Sequence, residues 1–137
     1  MIRVIVFAWF IRTLSRESIM GTQLQVLREK IRFGLEPDNP TLIVLWLSSE
    51  CDVRSTSKSY VELAKIYEQQ FRLLLEAIVD ELVPAYWRRT CLDYIYRPLS
   101  SLQRIAVSEK DQALIRKLNY ELMVSCQYIE SSLHHDY

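Results

Sequence analysis

Three cysteines and two histidines carry the most reactive side chains in this 137-residue chain. A nucleophilic thiol needs an imidazole or another base held within hydrogen-bond reach. Cys51, Cys91 and Cys126 are spread along the chain, whereas His134 and His135 lie close to its end, where side chains are poorly held. Cys126 also lies on an apolar stripe, as buried free thiols often do. The sequence therefore argues against thiol catalysis.

Metal-binding patterns are equally weak. The sequence contains no Cys-x-x-Cys pair, and adjacent histidines lack the four-residue spacing that places two imidazoles on one helix face. It also lacks the Glu-x-x-His pairs of di-iron bundles. An odd, scattered set of cysteines is typical of a reducing compartment. We therefore expect no metal, no cofactor and a cytoplasmic location.

Glu76 and Asp80 are the best-placed pair of carboxylates, because residues four apart share one helix face. Such a pair could serve acid–base chemistry, but a solvated polar face is the simpler interpretation. The chain has only two glycines, which excludes the glycine-rich phosphate loops of most nucleotide enzymes. We therefore predict that the protein is not an enzyme.

The segment 86–97, YWRRTCLDYIYR, concentrates aromatic and arginine side chains. The candidate partner-binding residues in it are Tyr86, Trp87, Arg88, Arg89, Tyr94, Tyr96 and Arg97. Tyr, Trp and Arg dominate protein-binding hot spots, and arginine also pairs with carboxylates through two hydrogen bonds. Residues 84–107 contain four arginines against Asp93 alone, a net charge of +3. We predict an exposed surface that docks a partner protein, with inward packing of the aromatic rings as the structural alternative.

Arginine–phosphate contacts and aromatic stacking would also suit nucleic acid. Residues 1–35 strengthen this alternative, since they carry six basic and two acidic side chains. However, the whole chain balances 17 Lys and Arg residues against 17 Asp and Glu residues, whereas polyanion binders usually have a basic excess. A nucleic-acid-binding transcriptional regulator is therefore the second hypothesis. A small enzyme without a recognisable motif is the third.

Apolar periodicity and capping residues predict an all-α chain of five to six helices. The predicted helices cover residues 22–33, 40–50, 60–82, 85–97, 99–107 and 109–133. Thr22 is expected to cap the first helix, Gly34 to end it and Pro84 to end the third. Ser108 and Asp111 form a capping pattern before the last helix. Short connectors favour a single-domain antiparallel bundle over residues 1–137.

Two apolar runs leave alternatives open. Residues 42–47, LIVLWL, follow Asn39-Pro40, a favourable helix start, so we expect a buried helix there. The alternative is a two-stranded ribbon that pairs this run with residues 4–11, VIVFAWFI. The run at 4–11 is too short to span a membrane and precedes no signal-cleavage site, so no membrane association is expected. If Met20 is the natural start, residues 1–19 are an extension.

Residues 60–82 carry the longest apolar stripe, and further hydrophobic side chains widen it beyond one face. Such a helix either lies at the centre of the bundle or pairs with a second copy, so a homodimer is retained as an alternative. Taken together, these features predict a non-enzymatic protein-interaction module. A small regulator, an adaptor or a chaperone-like subunit would fit that description.

Overall fold

The computed structural model describes residues 19–54 and 59–134. They form six helices: α1 (Ile19–Phe33), α2 (Thr41–Arg54), α3 (Tyr60–Val79), α4 (Ala85–Tyr94), α5 (Tyr96–Ile105) and α6 (Glu109–His134). These residues contain no strand, so the predicted all-α fold is confirmed for them. Residues 42–47 are helical, and the ribbon alternative is therefore wrong. The apolar run at 4–11 lies outside the described residues, as does nearly all of the extension considered for 1–19.

Contacts between helices show how the chain turns back and forth. Arg32, at the end of α1, pairs with Asp80 just beyond the end of α3, so α1 and α3 run in the same direction. The Arg72–Glu121 ion pair places the middle of α6 beside α3. The start of α6 also lies beside the start of α3, because Asp111 is hydrogen-bonded to Tyr60. The intervening helices return in the opposite direction, which confirms the predicted antiparallel bundle.

Helix α3 lies at the centre and contacts α1, α4, α5 and α6. Its side chains Phe71, Leu74 and Ile78 are fully buried. Because these helices cover α3 on several sides, α3 is apolar on more than one face. Leu82 was predicted to end the apolar stripe, but it lies beyond the helix and is 94% exposed. The helix stops earlier because the Asp80 carboxylate accepts a hydrogen bond of 3.0 Å from the backbone N–H of Leu82.

Gly34 ends α1 as predicted. Its φ of 60° is in the left-handed region, which glycine adopts without steric cost. The N–H of Leu35 donates to the carbonyl oxygen of Lys30 at 3.0 Å, and the N–H of Gly34 donates to that of Ile31 at 3.4 Å. This pair of bonds is a Schellman motif, which satisfies the last carbonyl groups of a helix. Thr22, by contrast, lies inside α1 and does not cap it.

Two local signals set the start of α5 and α6. Pro98 occupies the first turn of α5, where a missing N–H costs nothing, so the predicted helix 85–97 divides at Ile95 into α4 and α5.

Before α6, the Ser108 hydroxyl accepts the N–H of Asp111 at 3.2 Å. In return, the Asp111 carboxylate accepts the N–H of Ser108 at 2.9 Å and that of Val107 at 3.0 Å. The predicted capping pattern is thus confirmed, with Asp in the position that Glu usually takes.

Candidate functional site

The predicted aromatic and arginine surface is divided between the core and the exterior. Trp87 is fully buried, and its indole Nε1 donates to the carbonyl oxygen of Ile31 at 2.7 Å. Arg88 is 2% exposed, and its Nε donates to the carbonyl oxygen of Ile78 at 2.7 Å. Both side chains tie α4 to the ends of neighbouring helices. The expectation that Trp87 and Arg88 lie on an exposed docking surface is therefore wrong.

The other five predicted residues reach the exterior to different degrees. Tyr86 and Tyr96 are each 53% exposed, Arg97 is exposed, and Arg89 and Tyr94 are half-buried. The guanidinium carbon of Arg97 lies 4.8 Å from the centroid of the Tyr94 ring, which is within cation–π range. Tyr94 in turn packs against the hydrophobic core. The core thereby fixes the position of Arg97 through Tyr94.

Tyr96 and Arg97 border a groove of about 400 Å³ between α2, α3 and α5. Leu47 and Pro98 are buried at its base, beside Gln70. The amide nitrogen of Gln70 lies 3.5 Å from the carbonyl oxygen of Leu47, so it joins α3 to α2 below the groove. The base of the groove is therefore formed by residues of three packed helices: Leu47 of α2, Gln70 of α3 and Pro98 of α5.

The α5 wall of this groove carries a polar stripe. Arg97, Ser100, Ser101 and Arg104 also line the groove. Their spacing of i, i+3, i+4 and i+7 places them along one helix face, with the two arginine backbones about 10 Å apart. Nη2 of Arg104 donates to the hydroxyl of Ser101 at 2.9 Å, which orients that guanidinium. Among the described lining residues, the charged side chains are Arg97 and Arg104, and none is a carboxylate.

Tyr96 and Arg97, two of the predicted partner-binding residues, belong to this groove. Ser100, Ser101 and Arg104 also belong to it but were not predicted. The missed signal is the pattern Arg-x-x-Ser-Ser-x-x-Arg at 97–104, which places polar side chains at helical spacing opposite the apolar face of α5. Guanidinium groups and hydroxyl donors arranged in this way suit carboxylate or phosphate oxygens.

A second cavity, of about 600 Å³, lies between α1, α2 and α3 and is bordered by Glu50. Glu50 is 3% exposed. Its Oε1 accepts hydrogen bonds from Arg28 Nε at 2.6 Å and from Trp46 Nε1 at 2.9 Å, and its Oε2 lies 3.5 Å from the amide nitrogen of Gln70. A buried carboxylate with this many donors is already satisfied. The cluster therefore holds three helices together and leaves little polar capacity for a ligand.

The two cysteines in the described part of the chain, Cys91 and Cys126, are buried and partly buried. Burial raises the pKa of the Cys91 thiol to about 12, which keeps it protonated at neutral pH. Burial also raises the pKa of Cys126, with a smaller contribution from the charge of Glu130. The side chains of Cys51, His134 and His135 lie outside the described part of the chain. Within that part, no group of three or more His, Cys, Asp and Glu side chains could hold a metal ion.

Glu76 and Asp80, the candidate carboxylate pair, converge on one guanidinium. Arg32 Nε lies 3.3 Å from Glu76 Oε2, and Arg32 Nη1 lies 2.8 Å from Asp80 Oδ2. The hydrogen bond from Arg32 is the main reason why the pKa of Asp80 lies below its usual range. Both carboxylates thus join α3 to α1 by ion pairing.

No protein-family model, curated protein or solved structure matches this chain. Among the helices of residues 19–54 and 59–134, none is both long and apolar enough to cross a membrane.

Proposed function

We propose that the chain is a non-enzymatic protein-interaction module that binds an acidic segment of a partner protein in the groove between α2, α3 and α5. A small cytoplasmic regulator or adaptor would act in this way. One observation carries the proposal: Arg97 and Arg104 lie two turns apart on one wall, and none of the described lining residues is a carboxylate. The neighbouring serine hydroxyls and the exposed Tyr96 ring add hydrogen bonds and contact area.

The spacing of the arginines defines the segment that would fit. Their backbones are about 10 Å apart. A peptide in the polyproline II conformation has three residues per turn and rises about 3.1 Å per residue, so its residues i and i+3 lie on one side about 9 Å apart. Two Asp or Glu residues at those positions could therefore each meet one guanidinium. Arginine–carboxylate pairs of this kind are directional and charge-assisted. Because Tyr94 and Ser101 hold the two guanidinium groups, little side-chain freedom is lost on binding.

Charge distribution favours a peptide over nucleic acid. The chain as a whole has a formal net charge of zero, so the two arginines of the groove are not part of an overall basic excess. Specific binding to nucleic acid usually draws on many phosphate contacts spread over a basic face. A groove with two arginines suits a short acidic segment better.

Fluorescence anisotropy with the purified full chain tests the proposal. The probe is a labelled, proline-rich peptide of about ten residues that favours the polyproline II conformation and has two glutamates three positions apart, and the matched probe has glutamine at both positions. We expect the glutamate peptide to bind and the glutamine peptide to bind at least about tenfold more weakly. The double variant R97E/R104E should lose binding, whereas K110E, a charge reversal at an exposed residue of α6, should retain it. Equal binding of both peptides, or unchanged binding by R97E/R104E, would refute the proposal.

A DNA duplex and a single-stranded RNA serve as competing probes. Nucleic acid that binds more tightly than the glutamate peptide, with a steep loss of affinity as salt rises, would support the transcriptional-regulator alternative instead. For the partner in cells, a photo-crosslinking residue at Ser100 should attach to a peptide rich in Asp and Glu. Crosslinks that persist unchanged in R97E/R104E would contradict the site.

A further inference from the structure

The second half of α6 exposes an apolar face that no described residue covers. Ile115, Leu118 and Leu122 of this helix are buried against the bundle. On the opposite side, Tyr120 is 64% exposed and Tyr128 is 83% exposed. Met123 and Val124 lie between them and are also exposed. These four side chains follow helical spacing and share one side of the helix with the exposed Gln127.

Charges flank this patch in an asymmetric order. Arg116 precedes it and Glu130 follows it, and both are exposed. Arg116, Met123 and Glu130 are seven residues apart, so they lie along one edge of the exposed face. Each copy of α6 therefore has a basic end and an acidic end on either side of an apolar centre. Such a surface is complementary to itself when two copies lie antiparallel.

We propose that α6 pairs with α6 of a second copy to form an antiparallel two-fold dimer. With the two-fold axis beside Met123, Arg116 of each copy lies level with Glu130 of the other, because both residues are seven positions from the axis. The same ion pair then forms twice, while Tyr120 and Val124 pack across the centre. A parallel pairing would place like charges together at both ends.

The existing contacts of Arg116 do not prevent this exchange. Its Nη2 lies 2.5 Å from Glu109 Oε1, but the two side chains are 63% and 80% exposed. An ion pair so open to water contributes little to stability. Arg116 can therefore leave Glu109 and pair with Glu130 of the second copy at a small cost in free energy. Because one helix face forms the contact, the dimer is expected to be weak and dependent on concentration.

Sedimentation velocity on the full chain, from about 1 μM to about 1 mM, tests the dimer. We expect the wild-type protein to shift from monomer to dimer over this range. V124D should raise the dissociation constant at least about tenfold, because it buries a charge in the apolar centre. L82D, a matched change at an exposed leucine outside α6, should not. Circular dichroism verifies that both variants remain helical. A wild-type chain that stays monomeric throughout would refute the proposal.

Charge reversal then tests the antiparallel arrangement. R116E and E130R should each weaken the dimer about fivefold, and the double variant R116E/E130R should restore it. A double variant no better than the single ones would exclude this pairing of the helices. The peptide groove is tested separately: if R97E/R104E rather than V124D separates the copies, the dimer forms through the groove and the α6 proposal is wrong.

Discussion

The indole N–H of Trp87 donates a hydrogen bond of 2.7 Å to the carbonyl oxygen of Ile31, 56 positions earlier in the chain. That carbonyl group belongs to the last turn of α1, where helices leave oxygens without a partner. The tryptophan ring therefore fills the core and caps a neighbouring helix at the same time. This double role explains why an aromatic residue in a segment rich in hot-spot residues does not reach the surface.

Replacement of Trp87 by phenylalanine should destabilise the protein by about 1–3 kcal/mol. The smaller ring retains most of the apolar contact but leaves the Ile31 carbonyl oxygen without its indole partner. Unfolding in urea measures the difference in free energy. Y86F is the matched control, since Tyr86 is the exposed neighbour, and its effect should stay within about 0.5 kcal/mol. Equal stability of W87F and the wild type would show that the hydrogen bond contributes nothing.

The two glycines should respond in opposite ways to alanine. At Gly34, φ is 60° and an added Cβ would lie 2.9 Å from Cδ1 of Trp87. G34A should therefore cost about 1–2 kcal/mol for the backbone conformation alone, and more for the contact with the indole ring. Gly21 is exposed within α1, so G21A should instead stabilise the helix by about 0.5–1 kcal/mol. Chemical denaturation of both variants checks the signs, and two changes of the same sign would contradict this interpretation of Gly34.

The buried carboxylate of Glu50 should be important for stability. E50Q removes the charge that Arg28 and Trp46 hold from two sides. Breaking a buried ion pair leaves its partner uncompensated, and since Arg28 is partly exposed the expected loss is about 2–3 kcal/mol. E62Q is the matched control, because Glu62 borders the same cavity but is exposed. Urea unfolding should separate the two variants; similar curves would mean that the cluster around Glu50 is not stabilising.

Local sequence signals predicted much of the fold. Asn39-Pro40 indicated a helix over residues 42–47, Gly34 marked the end of α1, and Ser108 with Asp111 marked the start of α6, because each of these signals acts within a few residues. The boundary at Leu82 was missed because apolar spacing continues past Val79. The helix ends there because the Asp80 carboxylate accepts a hydrogen bond from the backbone N–H of Leu82. The same carboxylate pairs with Arg32, which is distant in the sequence.

The candidate site was only partly predictable, because the contacts that form it join residues that are distant in the sequence. Trp87 and Arg88 have the composition of a binding surface, but their partners are the backbone oxygens of Ile31 and Ile78, and sequence spacing does not show which carbonyl groups lie nearby. The groove forms where α5 crosses α2 and α3, so its floor depends on contacts between distant residues. Only the stripe from Arg97 to Arg104 could have been recognised in advance, from its spacing.

Acid and alkali should both weaken the cap of α6. The Tyr60 hydroxyl donates a hydrogen bond to the Asp111 carboxylate, and this bond is the main reason why the pKa of Asp111 lies well below its usual range. A lowered folded pKa gives stability that is present above about pH 4 and is lost as the pH falls further. The same bond raises the pKa of Tyr60 to about 12. That contribution is complete below about pH 10 and is lost as the pH rises towards the folded pKa.

The variant D111N keeps the shape of the cap but removes the charge. Its melting temperature should therefore fall furthest below that of the wild type between about pH 4 and about pH 10, and the difference should shrink outside this window. Y60F should reduce the change on the alkaline side, because the titrating phenol is gone. D93N, which removes the same charge at an exposed aspartate on α4, serves as the control. Thermal melts followed by circular dichroism measure all three; a D111N difference that does not vary with pH would show that the Asp111 charge does not stabilise the cap.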